Sequence, residues 1–174
     1  MEGLNNAFRK DETQTHSVGL GGNISRSIFS LKANIPPPPT FESHTSDAGI
    51  GSIMRLAPIS LFFCDDREKA MDHARSSSLT THPGPIAAEA CAFLSYLLVT
   101  ALHRTDATDA RTFLTAIADA YISEHLTEGL RPGADVVKRL LLAAEPEDSE
   151  ESCWNWREEQ ALDLAKVMRA RGSE

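Results

Sequence analysis

Two glycine-rich stretches stand where a chain could cradle an anion. "GLGGN" (residues 19–23) and "GIGS" (residues 49–52) each lead into an apolar run. A helix that begins in glycine presents unpaired backbone N–H groups beyond its end, and the missing side chain lets a phosphate come close. The same glycines serve equally to make a tight turn or to let another element pack, and the residues alone leave both uses open. The carboxylates are less telling. Asp65 and Asp66 are the only adjacent aspartates, and such a pair can hold a hard cation. At the start of an amphipathic segment, however, acids are favoured by the positive end of a helix, which is the simpler reading. "EPEDSEES" (residues 145–152) has charge without fixed geometry and reads as a solvated loop.

Other chemistries are not expected. The six histidines, at 16, 44, 73, 82, 103 and 125, show no i, i+4 pairing and no H-E-x-x-H pattern, so they do not outline a zinc site. No G-x-S-x-G nucleophile elbow occurs. Cys64, Cys91 and Cys153 are scattered with no C-x-x-C spacing, which suits free thiols in a reducing compartment. Cys91 falls inside an apolar run, where a thiol is inert.

The elements that must position these residues are helical. Asn23 is a candidate N-cap, and Ile24, Ile28 and Leu31 follow as one stripe. Four prolines, Pro36 to Pro39, end that helix and form a stiff connector. After "GIGS", Ile53, Leu56 and Ala57, then Leu61 to Phe63, give a short apolar helix in which Pro58 is either a kink or part of the first turn. Residues 65–79 read as amphipathic, with Ala70, Met71 and Ala74 facing inward. "TTHPGP" (residues 80–85) breaks the chain. Ile86 to Leu102 is apolar nearly all round and is expected to be the central buried helix. It is about the minimum length to span a bilayer, but Glu89 lies within it and interfacial flanks are missing. Phe113, Ile117 and Tyr121 mark the next helix, and another begins after the breaker pair Pro132 and Gly133. "WNWREEQALDLAKVMRARG" (residues 154–172) is read as a closing helix. Period-two alternation is missing, so the expected class is all-α, with six or seven helices. Residues 1–16 are polar and unpatterned and are expected to be a disordered lead.

The totals narrow the partners. The 174 residues are long enough for one domain, and 41% apolar with 24% charged residues is ordinary for a soluble protein. Seventeen basic against twenty-five acidic residues give a net charge of −8, with no basic block, which argues against nucleic-acid binding. Residues 1–14 show no signal-peptide core. The expectation is a soluble, cytoplasmic chain with no membrane partner.

"GIGSIMRLAPISLFF" (residues 49–63), followed by "SSSLTTHPGPIAAEACAFLSYLL" (residues 76–98), resembles the ADP-ribosylglycohydrolase family. That family's pattern runs G-N-G-S/A-x-M-R-x-A-P, then a helix, then S-x-x-T-H at the entry of a buried helix. The likeness covers residues 17–172, expected to form one partial domain, and is tightest from 47 to 102. It implies an all-helical orthogonal bundle, here incomplete. It also implies hydrolysis of the bond joining ADP-ribose to a protein side chain or small acceptor, with two magnesium ions held by aspartates and a threonine. On this resemblance Asp47, Gly49, Ile50, Gly51 and Ser52 form the diphosphate-contacting turn, and His82 lies near the ribose and phosphate. Arg55 matches the motif and is expected to anchor the loop by pairing with a carboxylate.

Two departures qualify that inference. Ile50 stands where the family has asparagine, which removes one polar contact. The acidic clusters that hold the metals in the family have no counterpart at matching positions, and Asp65 and Asp66 fall elsewhere in the pattern. The expectation is therefore no catalytic or metal-ligating residue in this chain, no magnesium requirement of its own, and no activity alone. Its partner would be ADP-ribose or an ADP-ribosylated protein. A degenerate ADP-ribose-binding module and a helical interaction domain are the alternatives. An incomplete shell would also expose apolar faces of the 86–102 helix to a covering partner.

Overall fold

The computed structural model describes Ile24 and residues 49–127, 131–143, 145–146 and 155–158. The expected lead at 1–16, the proline connector and Asp47 lie outside the described residues, as does the stripe at 24–31 apart from Ile24. Among the described residues there are six helices and no strand, so the all-α class holds. They are α1 (Gly51–Met54), α2 (Ala57–Phe62), α3 (Arg67–Leu79), α4 (Pro85–Leu102), α5 (Ala110–His125) and α6 (Ala134–Leu142).

Local chemistry sets most of these boundaries. Pro58 lies in the first turn of α2, where its missing N–H is not needed, so it starts the helix and does not kink it. Asp66 is the N-cap of α3, its carboxylate accepting from the Lys69 N–H at 3.1 Å. Asp109 caps α5 in the same way, accepting from the N–H groups of Arg111 and Thr112 at 3.0 Å each. Pro85 opens α4 directly behind Gly84. Gly133 opens α6 with φ of +81°, a conformation that side chains disfavour. A Cβ there would also sit 2.7 Å from the backbone of Pro85 and Ile86, so the glycine lets α6 start directly against the entry of α4.

The end of α6 departs from expectation. Residues 155–158 form a turn, not part of a closing helix, and residues 159–174 lie outside the described ones. The turn satisfies carbonyls that the end of α6 leaves open. Trp156 Nε1 donates to the Leu140 carbonyl at 3.1 Å and Arg157 Nε to that of Leu141 at 2.8 Å. Asn155 and Glu145 exchange two bonds of 3.0 Å.

α4 is the central helix, packed most extensively on α3 and touched by α1, α2, α5 and α6. Its 18 residues have a mean hydropathy of 1.7, enough by length and composition to cross a membrane, but half of that stretch is buried in the protein. Around its middle, Met71, Ala92, Tyr96, Ile117, Tyr121, Leu126, Val137 and Leu141 form a bulky core. Towards its start, Leu56, Ala74 and Cys91 form a smaller one. The exposed apolar face expected on α4 is confined to its last turn, where Leu102 is exposed. Larger exposure lies on α1 and α2, at Met54, Leu61 and Phe62.

Candidate functional site

α1 is a single turn, and Gly51 at its start and Arg55, its C-cap, reach the end of α3 and the segment that follows it. Gly51 is covered by His82. A Cβ at Gly51 would sit 2.8 Å from His82 Cε1 and 2.9 Å from Nε2, with Ile24 Cδ1 at 3.7 Å. The bare glycine at 51 is therefore required by the imidazole packed on it. Four residues on, Arg55 Nη2 donates to the Ser77 carbonyl at 2.6 Å and to Thr80 Oγ1 at 3.1 Å. The expectation that Arg55 anchors the loop through a carboxylate is thus corrected: its partners are a main-chain carbonyl and a hydroxyl. α3 has no basic residue in its own last turn, and Arg55 supplies the cation that the negative end of a helix favours.

His82 itself is buried, 3% exposed, and its backbone N–H closes the end of α3 on the Ser78 carbonyl at 2.8 Å. Its Nδ1 lies 2.8 Å from Thr81 Oγ1. Burial holds the imidazole below its ordinary pKa, and the nearby Arg55 charge adds to the effect, so the ring is neutral at physiological pH. That leaves it able to accept a hydrogen bond at one nitrogen and donate at the other.

The remaining residues of the turn divide. Ser52 is buried with its hydroxyl turned inward, accepting from Cys91 Sγ at 3.5 Å. Ile50 points outward at 62% exposure, and its side chain provides no cap for α1. Gly49 is half-buried. The structure therefore brings Gly51, Ser52 and His82 together, with Ile50 on the rim. Burial pushes the Cys91 thiol up despite the hydroxyls of Ser52 and Ser78 beside it, in keeping with an inert group.

A second polar centre was not visible as such in the sequence. Glu89 of α4 is only 2% exposed, and Arg75 of α3 grips it through Nε at 3.1 Å and Nη2 at 3.2 Å. Arg131 Nε lies 3.2 Å from the same carboxylate, and the Tyr121 hydroxyl donates to it at 2.5 Å. Burial alone would raise the Glu89 pKa, but the Arg75 and Tyr121 bonds and the two guanidinium charges outweigh it and hold it low. Tyr121 is pushed up, by burial first and then by the Glu89 charge. Both carboxylate oxygens accept from fixed protein donors, Oε2 from Arg75 and Oε1 from Arg75, Tyr121 and Arg131, which marks this centre as a structural tie between α3, α4, α5 and the entry of α6. A cleft of about 520 Å³ lies at the opposite end of α4, lined among others by Arg67, His103, Arg104 and Phe113. Its arginines are already committed, Arg67 over the Tyr96 ring and Arg104 to Asp106 and the Phe113 ring.

No group of three or more histidine, cysteine or acidic side chains is arranged to hold a metal among the described residues. Asp66 spends one oxygen on the Lys69 N–H and the other on Lys69 Nζ, at 2.8 Å. Asp66 thus serves as the cap of α3 and the ion-pair partner of Lys69.

Compared with known families, the chain matches the family model described as ADP-ribosylglycohydrolase over residues 3–170. No curated protein and no solved structure matches it.

Proposed function

Because the chain belongs to the ADP-ribosylglycohydrolase family, we propose that it holds an ADP-ribose unit at the turn of residues 49–52, with the diphosphate against the main chain and His82 beside it. One observation carries this reading. The two halves of the motif, residues 49–55 and 80–82, meet at Gly51 and His82 and are tied again by Arg55. Short uncapped backbone and a neutral imidazole thus converge at one end of the bundle, tied in place by the Arg55 guanidinium, a combination suited to a diphosphate and a sugar hydroxyl. Asp47, on the approach to the turn, belongs to the same proposed set.

In complete members of the family a divalent metal serves hydrolysis, polarising the bond or activating water. Among the described residues no group of three or more carboxylate, histidine or cysteine side chains is arranged to hold such a metal. We infer that the isolated chain binds ADP-ribose or an ADP-ribosylated protein without cleaving it, in a cytoplasmic setting. The inference rests on the engagement of Asp66 with Lys69 and on Ile50 in place of a polar side chain.

Calorimetric titration with ADP-ribose, with and without magnesium, tests the reading together with an assay for release of ADP-ribose from a modified peptide. Binding unaffected by magnesium, with no release, is expected. Release by the pure chain overturns the non-cleaving part, and absence of binding overturns the whole. A second reading, a helical interaction domain, is favoured by one feature. Ala57, Pro58, Leu61 and Phe62 make an exposed apolar face along α2, while Ser60 is turned inward to Ser95.

A further inference from the structure

We propose that Arg55 is a positioning residue: it clamps the last turn of α3 onto α1 and thereby keeps the His82 imidazole seated on Gly51. The geometry is a two-point clasp. α1 offers Gly51, and its C-cap Arg55 follows one helical turn later on the same side. The end of α3 answers with His82 at the first point and with the Ser77 carbonyl and Thr80 hydroxyl at the second. Thr80 Oγ1 also donates to the Ser77 carbonyl at 2.7 Å, so the guanidinium closes a three-membered polar cluster.

This arrangement matters because, within α1, Ile53 is the one large side chain packed on the core, and it is only partly buried. The helix is four residues long, too short to be stable by itself, and the large side chains at 50 and 54 point outward. The buried contacts beneath it come from Ser52 and Leu56. Losing the guanidinium leaves the end of α3 without a cation and frees the 80–82 segment to move away from the glycine. Gly51 and Arg55 from α1, Ile24, and Thr81 from its own loop face the ring. Of these, Arg55 alone carries a charge. The clasp itself is independent of any ligand; its consequence for binding rests on the ADP-ribose reading.

The test is nuclear magnetic resonance of the full chain, following the His82 ring through a pH titration and its cross-relaxation with the Gly51 Hα atoms. In Arg55→Gln the Gly51 contact is expected to weaken and the His82 midpoint to rise, because both a restraint and a neighbouring positive charge are removed. Arg55→Lys retains a charge and one donor, and is expected to restore most of the contact. ADP-ribose affinity should fall roughly tenfold in Arg55→Gln, the scale of one charge-assisted hydrogen bond. A folded Arg55→Gln protein with an unchanged His82 midpoint and an unchanged Gly51 contact overturns the proposal. Should Arg55→Gln fail to fold, Thr80→Val at an exposed position removes one acceptor of the clasp. It must then show a smaller change of the same sign, and no change overturns the proposal. A wild-type chain that ignores ADP-ribose while the ring still responds to Arg55 sinks the functional reading and leaves the clasp standing.

Discussion

Two sides of α4 are held by different physics. Around its middle, α4 packs on bulky groups: Tyr96 meets Tyr121 edge-on with ring centroids 5.2 Å apart, and Phe93 meets Tyr121 at the same distance. Beside them the Glu89 carboxylate ties α3 to α5 and α6. On the side that faces α1 and α2, most of the buried residues are small, Ser52, Ser60, Ser78, Ala74 and Cys91 beside the larger Leu56, with Ile53, Ile59 and Leu94 partly buried against them. There the contacts are short polar bonds, from Ser60 to Ser95 at 3.0 Å and from Arg55 to Ser77. Bulky burial contributes about 1.5–3 kcal/mol per side chain, whereas a neutral hydrogen bond contributes about 1 kcal/mol net. The first region is therefore the stable body, and the second is a lighter attachment that can carry a site.

Substitutions sharpen that contrast. The largest expected effect is at Glu89. Glu89→Ala leaves two guanidinium groups and the Tyr121 hydroxyl around an empty site, and should lower stability by about 3 kcal/mol, read by urea unfolding. Gly133→Ala comes next. The positive φ and the clash with the backbone of α4 should together cost roughly 2 kcal/mol, read by the same measurement. Both changes weaken the body. If either alters the His82 environment more than global stability, the division into body and attachment is wrong.

Acid separates the two regions by pH. The folded His82 binds its proton less readily than the unfolded chain does, so its contribution is complete above its ordinary value of 6.5 and is lost as pH falls through the depressed folded value. Glu89, also held low, keeps its contribution until pH falls below its ordinary 4.5 and then loses it through its own folded value. Urea midpoints taken between about pH 7.5 and 5.5 should show a small decline that disappears in His82→Gln, since the Glu89 contribution is lost only at lower pH. A decline that persists in His82→Gln assigns it elsewhere. The smallest effect belongs to the rim: Phe62→Ser should change stability by less than about 0.5 kcal/mol, because the ring is 82% exposed. Sedimentation of the wild type and this variant then reports whether the α2 face joins a partner.

Much of the body was legible in the sequence because local rules dictate it. Asp65 and Asp66 suit the positive start of a helix, "TTHPGP" separates two helices, and Ala70, Met71 and Ala74 fall on one buried face. What escaped depends on pairs distant in the chain. Glu89 reads as a lone acid in an apolar helix, and nothing in its neighbourhood names Arg75 and Arg131 as its partners. Arg55 carries a charge that suggested a carboxylate, but the free carbonyls at the end of α3 offered a negative pole without one. Gly133 was legible as a breaker, though its approach to the entry of α4 was not. The turn at 155–158 follows from capping bonds to α6 that a helical spacing of apolar residues further along conceals. At the site, the sequence pointed to Gly51 and His82, and the structure joins them. The reason for the glycine differs: its bare face receives the imidazole.

The central claim is that the meeting of Gly51 and His82 builds a seat for a sugar diphosphate. Calorimetry with ADP-ribose on the wild type and on Gly51→Ala tests it most directly, because the added methyl displaces the imidazole while leaving the Glu89 centre untouched. The account predicts binding by the wild type, a loss of about tenfold or more in Gly51→Ala, and a stability change of no more than about 1 kcal/mol. Equal affinity in the two proteins, or no affinity in the folded wild type, contradicts it.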